Sequence, residues 1–324
     1  MPPTSSTLDR HVERLLRNDP PRAKSLCVTL LGDALGPHGG AIWLGDLIEL
    51  LEPLGINERL LRTSVFRLVA QGWLKSERHG RRSRYALSSQ GQRLTAHASQ
   101  RIYDGPPRTW QGEWTLVVLP RAGNEVLAER AELRRELVWE GFGVIAPGVF
   151  AHPQTEARAA HDVLDKLGIP DKALVLSARD LAGAGGLPIA SLASQCWNLE
   201  RLAAQYRAFQ QAFAPPARLL EAGTPIQPRT AFALRALLVH AWRRIVLHDP
   251  QLPAGLLPAQ WPELPARRLC ADLYWKVFGA AERHLDAVAG RDNERFLPLA
   301  PEVYRRFGGA PEALRPSGSA PGST

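Results

Sequence analysis

Apolar and polar positions change their spacing along the chain, and the first region has a helical period that gives way to two short strands. The elements predicted there are helices over residues 8–17, 22–35, 43–52 and 57–71, strands over 73–78 and 83–88, and a polar helix over 89–102. The helices over 22–35, 43–52 and 57–71, followed by a two-stranded hairpin, have the order of a winged helix-turn-helix. The Gly-Pro-Pro step at 105–107 predicts the end of this region.

Strands and helices alternate in the second region. The predicted strands cover residues 113–119, 142–146, 149–152 and 173–177, and the predicted helices cover 124–140 and 155–167. The order β-α-β-β-α-β is that of a ferredoxin-like sandwich. After a Gly/Ala-rich linker at 181–187 the pattern is helical over 197–213, 229–247 and 266–285. Pro215-Pro216, with Pro225 and Pro228, predicts a loop or a short helical turn between the first two of these helices.

The fold class expected from these patterns is α+β, with several domains, as 324 residues imply. The predicted domains are an N-terminal arm (1–20), a winged helix-turn-helix DNA-binding domain (21–104), a ferredoxin-like middle domain (113–178), an all-helical C-terminal domain (193–308) and a disordered tail (309–324).

Composition excludes several classes of protein. No run of 18 or more apolar residues and no signal peptide occur, so we expect a cytoplasmic protein. The three cysteines, Cys27, Cys196 and Cys270, are far apart and fit neither a disulfide framework nor a metal site. The histidines have no metal-ligand spacing, and no phosphate-binding loop or nucleophile elbow is present. We therefore expect no cofactor, no catalytic residue and no metal.

The net positive charge is concentrated in one part of the chain. The chain carries a formal charge of +8. Residues 54–102 hold ten Lys/Arg against two Asp/Glu, so this one segment contains the whole excess. A concentrated basic segment favours an anionic partner.

The helix predicted over 57–71 divides into two faces at 100° per residue. Leu61, Val65 and Leu68 share an apolar face. The opposite face is basic and hydroxyl-bearing, with Arg59, Arg62, Thr63, Phe66 and Arg67. Such a division suits a helix that docks on its own domain and enters the DNA major groove.

The predicted hairpin turn is also basic, with Arg78, Arg81, Arg82 and Arg84 around Gly80. Guanidinium groups on a projecting turn suit phosphates or a minor groove. A solvated basic surface, an RNA partner or an acidic protein partner are the alternatives that the residues leave open.

The chain resembles the PaaX family of bacterial transcriptional repressors. The resemblance lies in NERLLRTSVFRL at 57–68 and the residues around it from 25 to 74, GRRSRYALSSQG at 80–91, WTLVVLP at 114–120, CWNLERLAAQYRAFQQAF at 196–213 and the segment 237–262. It implies a winged helix, a Cas2-like middle domain and a helical C-terminal domain. It also implies a homodimer on a palindromic operator of phenylacetate catabolism genes, released by phenylacetyl-CoA or a related aryl-CoA thioester.

Two sets of candidate site residues follow. The DNA-binding residues are Asn57, Arg59, Arg62, Thr63, Ser64, Arg67, Arg78, Arg81, Arg82 and Arg84. Ser64 falls between the faces of the helix and is expected to contact a phosphate at most. Glu58 is expected to pair with Arg62, four residues on, or to accept a bond from a cytosine amino group.

The effector needs an apolar slot for its acyl group and cations for its phosphates. The candidate ligand-binding residues of the helical domain are His240, Trp242, Arg243, Arg244, Tyr274, Trp275 and Lys276. Alternatively, the pocket lies between the middle and helical domains, where Arg134, Arg135 and Trp139 contribute. Core packing and solvated faces are the alternative interpretation of these side chains. The alternative function is an enzyme, either a metal-dependent nuclease or a CoA-thioester enzyme, that uses the middle or the C-terminal domain.

Overall fold

The computed structural model of the chain describes residues 6–105, 110–120, 127–153, 157–179, 189–291 and 293–315. Residue contacts divide it into two compact units. Unit 1 comprises Met1–Gly105, Arg207–Arg244 and Glu263–Thr324, and unit 2 comprises Pro106–Tyr206 and Ile245–Pro262. Unit 1 thus combines the predicted winged helix with most of the predicted C-terminal helices. The domain boundaries stay a prediction, since a division by contacts does not mark where the segments fold independently.

The N-terminal part of unit 1 is a winged helix-turn-helix. Its elements are α1 (Thr7–Asn18), α2 (Ala23–Leu30), β1 (Ala41–Trp43), α3 (Leu44–Leu51), α4 (Glu58–Ala70), β2 (Leu74–His79), β3 (Arg82–Leu87) and α5 (Ser89–Tyr103). The three strands form an antiparallel sheet in the order β1-β3-β2. The sequence pattern did not predict β1, because three consecutive buried residues have no alternation to detect.

The N-terminal arm contains a packed helix, α1, where a helix over residues 8–17 is predicted. Ser6 and Asp9 form a reciprocal capping box at the start of α1, and Leu8 and Val12 are buried. The Thr230 hydroxyl donates a hydrogen bond to Asp9, which fixes α1 to the C-terminal helices of unit 1. An isolated polar stretch would fray, but these contacts hold the arm in place.

The helix predicted over residues 22–35 changes its geometry before its end. α2 stops at Leu30 and continues as one π-helical turn, Leu31–Leu35, and a 3-10 turn, Gly36–His38. A π turn inserts an extra residue into the helical ladder and often occurs at functional sites. The π turn of this chain contains Asp33, whose side chain is buried.

Unit 2 contains the predicted ferredoxin-like sandwich. Its elements are β4 (Glu113–Val118), α6 (Leu127–Trp139), β5 (Gly143–Ala146), β6 (Val149–His152), α7 (Ala157–Lys166), β7 (Leu174–Arg179) and α8 (Ile189–Cys196). The strands pair antiparallel in the order β5-β6-β4-β7. Residues of α6 and α7 share a core with the sheet through Leu133, Leu137, Val117 and Phe150. The prediction for this region is confirmed, and the predicted linker at 181–187 lies outside the described residues.

The C-terminal part is helical, as predicted. It consists of α9 (Leu199–Glu221), α10 (Pro228–Val246) and α11 (Glu263–Ala289), and α9 and α10 each have residues in both units. The helix end predicted at Pro215-Pro216 is wrong, since both prolines lie inside α9, which continues to Glu221 before the connection to α10. Burial of Phe213 on one side and Ala217 on the other offsets the backbone hydrogen bonds that the prolines remove.

The predicted disordered tail also needs a correction. Ala310 is buried and Glu312–Leu314 forms a 3-10 turn, so the described start of that tail packs on unit 1. Among the described residues, no helix is long and apolar enough to cross a membrane.

Candidate nucleic-acid interface

Helix α4 begins where the sequence predicts. The Asn57 side chain accepts a hydrogen bond from the Leu60 amide at 2.9 Å, which satisfies one of the free amides at the helix start. Leu61, Val65 and Leu68 are buried, and α4 packs against α2 through this face. The docked face is therefore the one that the apolar spacing predicts.

The opposite face of α4 is open to solvent. The exposed side chains on it are Arg59, Arg62, Thr63, Phe66 and Arg67. The Thr63 hydroxyl donates to the Arg59 carbonyl at 3.0 Å, so it keeps an acceptor lone pair available for an outside donor. The structure thus brings together every predicted site residue of this helix except one.

Ser64 is the exception. Only 8% of it is exposed, and its hydroxyl donates to the Leu60 carbonyl at 2.8 Å. Its place in the helix puts it beside the docked face, next to Leu68 and Leu61. The expected phosphate contact is therefore not available to Ser64 in this conformation.

Glu58 pairs with Arg62, the first of the two roles expected for it. The Arg62 Nη2 lies 2.6 Å from Glu58 Oε1, and both side chains are more than half exposed. Exposed pairs of this kind contribute less than about 1 kcal/mol, so Arg62 can exchange its carboxylate partner for a phosphate or a base at little cost.

The wing is the two-residue turn between β2 and β3. Gly80 adopts a φ of +59°, a left-handed value that a glycine at the first turn position permits without strain. Arg78, Arg81 and Arg82 are exposed around this turn. The Arg82 guanidinium lies 4.4 Å above the Trp43 ring, and this cation–π contact orients one of the wing cations.

Arg84 does not belong to the projecting turn. It is 8% exposed and lies 2.9 Å from Glu77 and 5.0 Å from the centre of the Trp43 ring. Hydrogen bonds from Arg84 and Arg295 lower the pKa of Glu77 to about 2. The prediction that Arg84 belongs to the projecting turn is wrong because neighbouring strands flank this position. Trp43 of β1 and Glu77 of β2 are its register partners, whereas Arg82 lies beyond the end of β1.

A buried ionic cluster lies in the same unit and was not predicted. It consists of Asp33, Arg235, Glu282 and Arg306. Arg235 is 2% exposed, donates to Asp33 Oδ2 at 2.9 Å and pairs with Glu282. Arg306 lies 3.1 Å from Asp33 Oδ1. No sequence spacing links these four positions, because they come from a π turn, two long helices and a C-terminal turn.

Tyrosines and a histidine complete this cluster. Tyr103 donates to Asp33 at 2.5 Å, and Arg306 donates to the Tyr274 hydroxyl at 2.7 Å. Burial raises the pKa of Tyr274 to about 12. His38 lies 2.9 Å from Glu282, and although burial opposes its charge, the hydrogen bonds to Glu282 and the Leu297 carbonyl raise its pKa. The cluster joins the winged helix to the C-terminal segments of unit 1 by charge as well as by apolar packing.

A cleft of about 510 Å³ opens beside the buried ionic cluster. Its walls include Thr95 and Ser99 of α5, the turn Gly36–His38, and Arg306 within the turn Pro301–Gly308. The volume lies in the range of small-molecule sites. This cleft was not predicted, since it depends on the C-terminal turn packing on the winged helix.

Most of the predicted ligand residues of unit 1 have structural partners. Trp242 is buried and donates to the Ile102 carbonyl at 2.9 Å. His240 lies 2.9 Å from the Thr29 hydroxyl, and Arg243 donates to the same hydroxyl at 3.1 Å.

The remaining predicted ligand residues are divided between the core, the surface and unit 2. Tyr274 and Trp275 are buried within unit 1. Arg244 and Lys276 form exposed pairs with Asp19 and Glu221. Arg134, Arg135 and Trp139 are exposed on α6, in unit 2. The seven candidates of unit 1 are thus divided between the core and the surface, and the role of all ten residues in ligand binding stays a prediction.

The fold and the site define a winged helix-turn-helix protein whose outward helix face and wing are basic, with a ferredoxin-like sandwich in a second unit. Three family models match the chain: PaaX-like protein at residues 22–91, PaaX protein central Cas2-like domain at 107–186, and PaaX-like protein C-terminal domain at 197–287. The Transcriptional repressor PaaX of Escherichia coli is 37% identical over 306 residues, which cover 94% of this chain and 96% of that protein. The chain belongs to the PaaX family.

A solved structure is also similar. The uncharacterized protein Rv0674 from Mycobacterium tuberculosis matches with 26% identity and a TM-score of 0.47, over 75% of this chain and 90% of that one.

Proposed function

We propose that this protein is a sequence-specific DNA-binding repressor of phenylacetate catabolism genes, and that an aryl-CoA thioester such as phenylacetyl-CoA releases it from its operator. The observation that carries the DNA-binding part is the exposed basic face of α4 beside the wing turn with Arg81 and Arg82. Guanidinium groups on a helix and on a turn suit major-groove bases and neighbouring phosphates. The name of the E. coli relative, a transcriptional repressor, supports the regulatory role.

In this proposal the protein binds a palindromic operator as a homodimer. Two copies of α4 then lie about 34 Å apart, one turn of DNA, so that each enters a major groove on the same side of the duplex. A regulator of this kind needs no catalytic residue, and its action is binding rather than turnover.

Release by the effector requires a difference in affinity between two states of the repressor. An aryl-CoA lowers DNA affinity only if it binds the form that does not fit the operator more tightly than the form that does. The cleft of about 510 Å³ beside Arg306 supports this part of the proposal, since its walls come from the winged helix and from the C-terminal turn.

The test is a gel-shift titration on the promoter DNA of phenylacetate catabolism genes. Phenylacetyl-CoA, acetyl-CoA, free CoA and phenylacetate are added in parallel at equal concentrations. We expect a specific complex with the protein alone and release by phenylacetyl-CoA at the lowest concentration. A specific complex that none of the four compounds releases would contradict the effector, and the absence of a specific complex would contradict the repressor function.

A further inference from the structure

Phe66 is the most exposed of the large apolar side chains in the part of the chain that the structure describes. Its exposed fraction is 74%, against 56% for Leu174 and Leu264, which follow it. A phenyl ring at this exposure gains almost nothing from burial in the folded chain. Its position therefore leaves the ring available to a partner outside the chain.

The neighbours of Phe66 indicate what that partner is. On the helical projection of α4, Phe66 lies about 20° from Arg59, about 40° from Arg62 and about 60° from Thr63. All three are exposed, and so is Ala70, about 40° from Phe66, whose methyl group adds little apolar surface. A protein-docking patch would surround the ring with further apolar side chains, whereas guanidinium groups on both sides favour a polyanion. The ring thus lies inside the basic face rather than beside it.

A duplex offers one apolar group to a helix in its major groove, the C5-methyl group of thymine. We propose that Phe66 contacts a thymine methyl group and makes the protein prefer a T·A pair at that position of its site. This inference rests on the proposed DNA-binding function and assigns part of its sequence preference.

The chemistry of the phenyl ring also defines which bases Phe66 disfavours. A phenyl ring has no donor for the guanine or adenine edge and no acceptor for the cytosine amino group. Cytosine at the same position presents a polar amino group to the ring and has no methyl group, so the ring disfavours it on both counts. Arg59 and Arg62, in contrast, suit guanine edges and phosphates.

The experiment compares thymine with deoxyuridine, which pairs in the same way and lacks only the methyl group. Duplexes that bind the full-length protein are first selected from a random-sequence pool. The best duplex is then prepared with thymine and with deoxyuridine, and Kd is measured by gel shift for the wild type and for Phe66→Ala. We expect deoxyuridine to weaken wild-type binding about fourfold for each lost methyl contact. Phe66→Ala should bind the thymine duplex more weakly and lose most of this difference.

Two further variants separate the contact from other effects. Leu264→Ala removes an exposed apolar side chain outside α4 and should keep the wild-type ratio of the two Kd values. Phe66→Leu keeps an apolar group and should keep part of the ratio. The thermal unfolding midpoint of Phe66→Ala should match that of the wild type, because the ring is exposed.

Each result leads to one conclusion. An equal thymine-to-deoxyuridine ratio in the wild type and in Phe66→Ala would overturn the methyl contact, including the case in which the ring docks on a protein instead. Failure to select any duplex sequence would overturn the DNA-binding function itself, and with it this inference.

Discussion

Unit 1 contains two groups of arginines with opposite surroundings. On α4 and the wing, Arg59, Arg67 and Arg81 are exposed. In the buried ionic cluster, Arg235 is 2% exposed between Asp33 and Glu282. The same side chain is thus left open to an outside anion at one place and neutralised inside the fold at the other.

The difference shows that local charge balance, rather than residue type, decides what an arginine does. A buried guanidinium is tolerated only when carboxylates and hydrogen-bond acceptors surround it, and then it holds its neighbours in one arrangement. An exposed one contributes little to stability and is available for binding. We therefore expect changes in the buried ionic cluster to affect stability first, and changes on α4 and the wing to affect DNA binding alone.

The largest effect, a loss of folding stability, is expected from Arg235→Met. The change leaves Asp33 and Glu282 buried with one opposite charge fewer, and breaking a buried pair in this way costs about 3–5 kcal/mol. Urea unfolding of the full chain, followed by circular dichroism, measures the loss.

The matched control is Arg244→Met, which removes an exposed pair with Asp19 and should cost less than about 1 kcal/mol. The double variant Asp33→Asn with Arg235→Met should recover part of the loss. Equal stability losses in Arg235→Met and Arg244→Met would contradict the distinction between buried and exposed arginines.

Arg62→Ala should leave the unfolding curve almost unchanged and weaken DNA binding. The expected loss is about 1–3 kcal/mol, together with a relaxed preference at one base pair, because a guanidinium reads a guanine edge with two hydrogen bonds. Binding to a panel of duplexes with single base-pair changes measures both. Weaker binding with an unchanged sequence preference would assign Arg62 to a phosphate instead of a base.

The wing should contribute to DNA binding through its charge alone. Replacing Arg81 and Arg82 together by Ala should reduce the slope of log K against log salt concentration by about two, since each phosphate contact releases about one counterion. Replacing Arg134 and Arg135 of α6 by Ala removes the same charge from an exposed surface of unit 2 and serves as the control. Equal slopes in the wild type and the wing variant would place the wing away from the phosphates.

The last prediction concerns pH and the buried His240. Burial, together with the charges of Arg243 and Arg244, lowers the pKa of His240 from 6.5 to about 4. Between these two values the unfolded chain binds a proton that the folded chain does not. Stability should therefore fall as the pH drops from 6.5 toward 4, by up to about 1.4 kcal/mol per pH unit.

His240→Asn should remove this part of the pH dependence. Unfolding free energies at pH 7, 6 and 5 measure the slope for the wild type and the variant. The same slope in the wild type and in His240→Asn would show that His240 does not titrate in this window.

Local patterns predicted much of this fold. The face of α4 followed from a period of 3.6 residues, and Asn57 followed from its role as a cap, because both depend on neighbouring residues alone. The β-α-β-β-α-β order of unit 2 followed in the same way. Arg84 was misplaced because a basic turn was identified by composition alone, and the pairing of β3 with the unpredicted strand β1, which flanks Arg84, left no signal in the sequence.

The buried ionic cluster and the cleft beside it depend on long-range packing. Asp33 and Arg306 are 273 residues apart in the chain and meet only in the folded unit. A basic side chain predicted from sequence alone is expected to be exposed, so Arg235 gave no signal of its burial. The same limit applies to the predicted ligand residues, several of which are packed into the core.

The central claim is that the outward face of α4 contacts DNA, and photo-crosslinking tests it most directly. Benzoylphenylalanine is introduced in place of Phe66 and, in a separate variant, in place of Trp139, an exposed aromatic residue of unit 2. Each full-length protein is irradiated on the selected duplex. Covalent attachment to DNA from position 66 and none from position 139 is the predicted result. Tight binding without attachment from position 66 would contradict the claim.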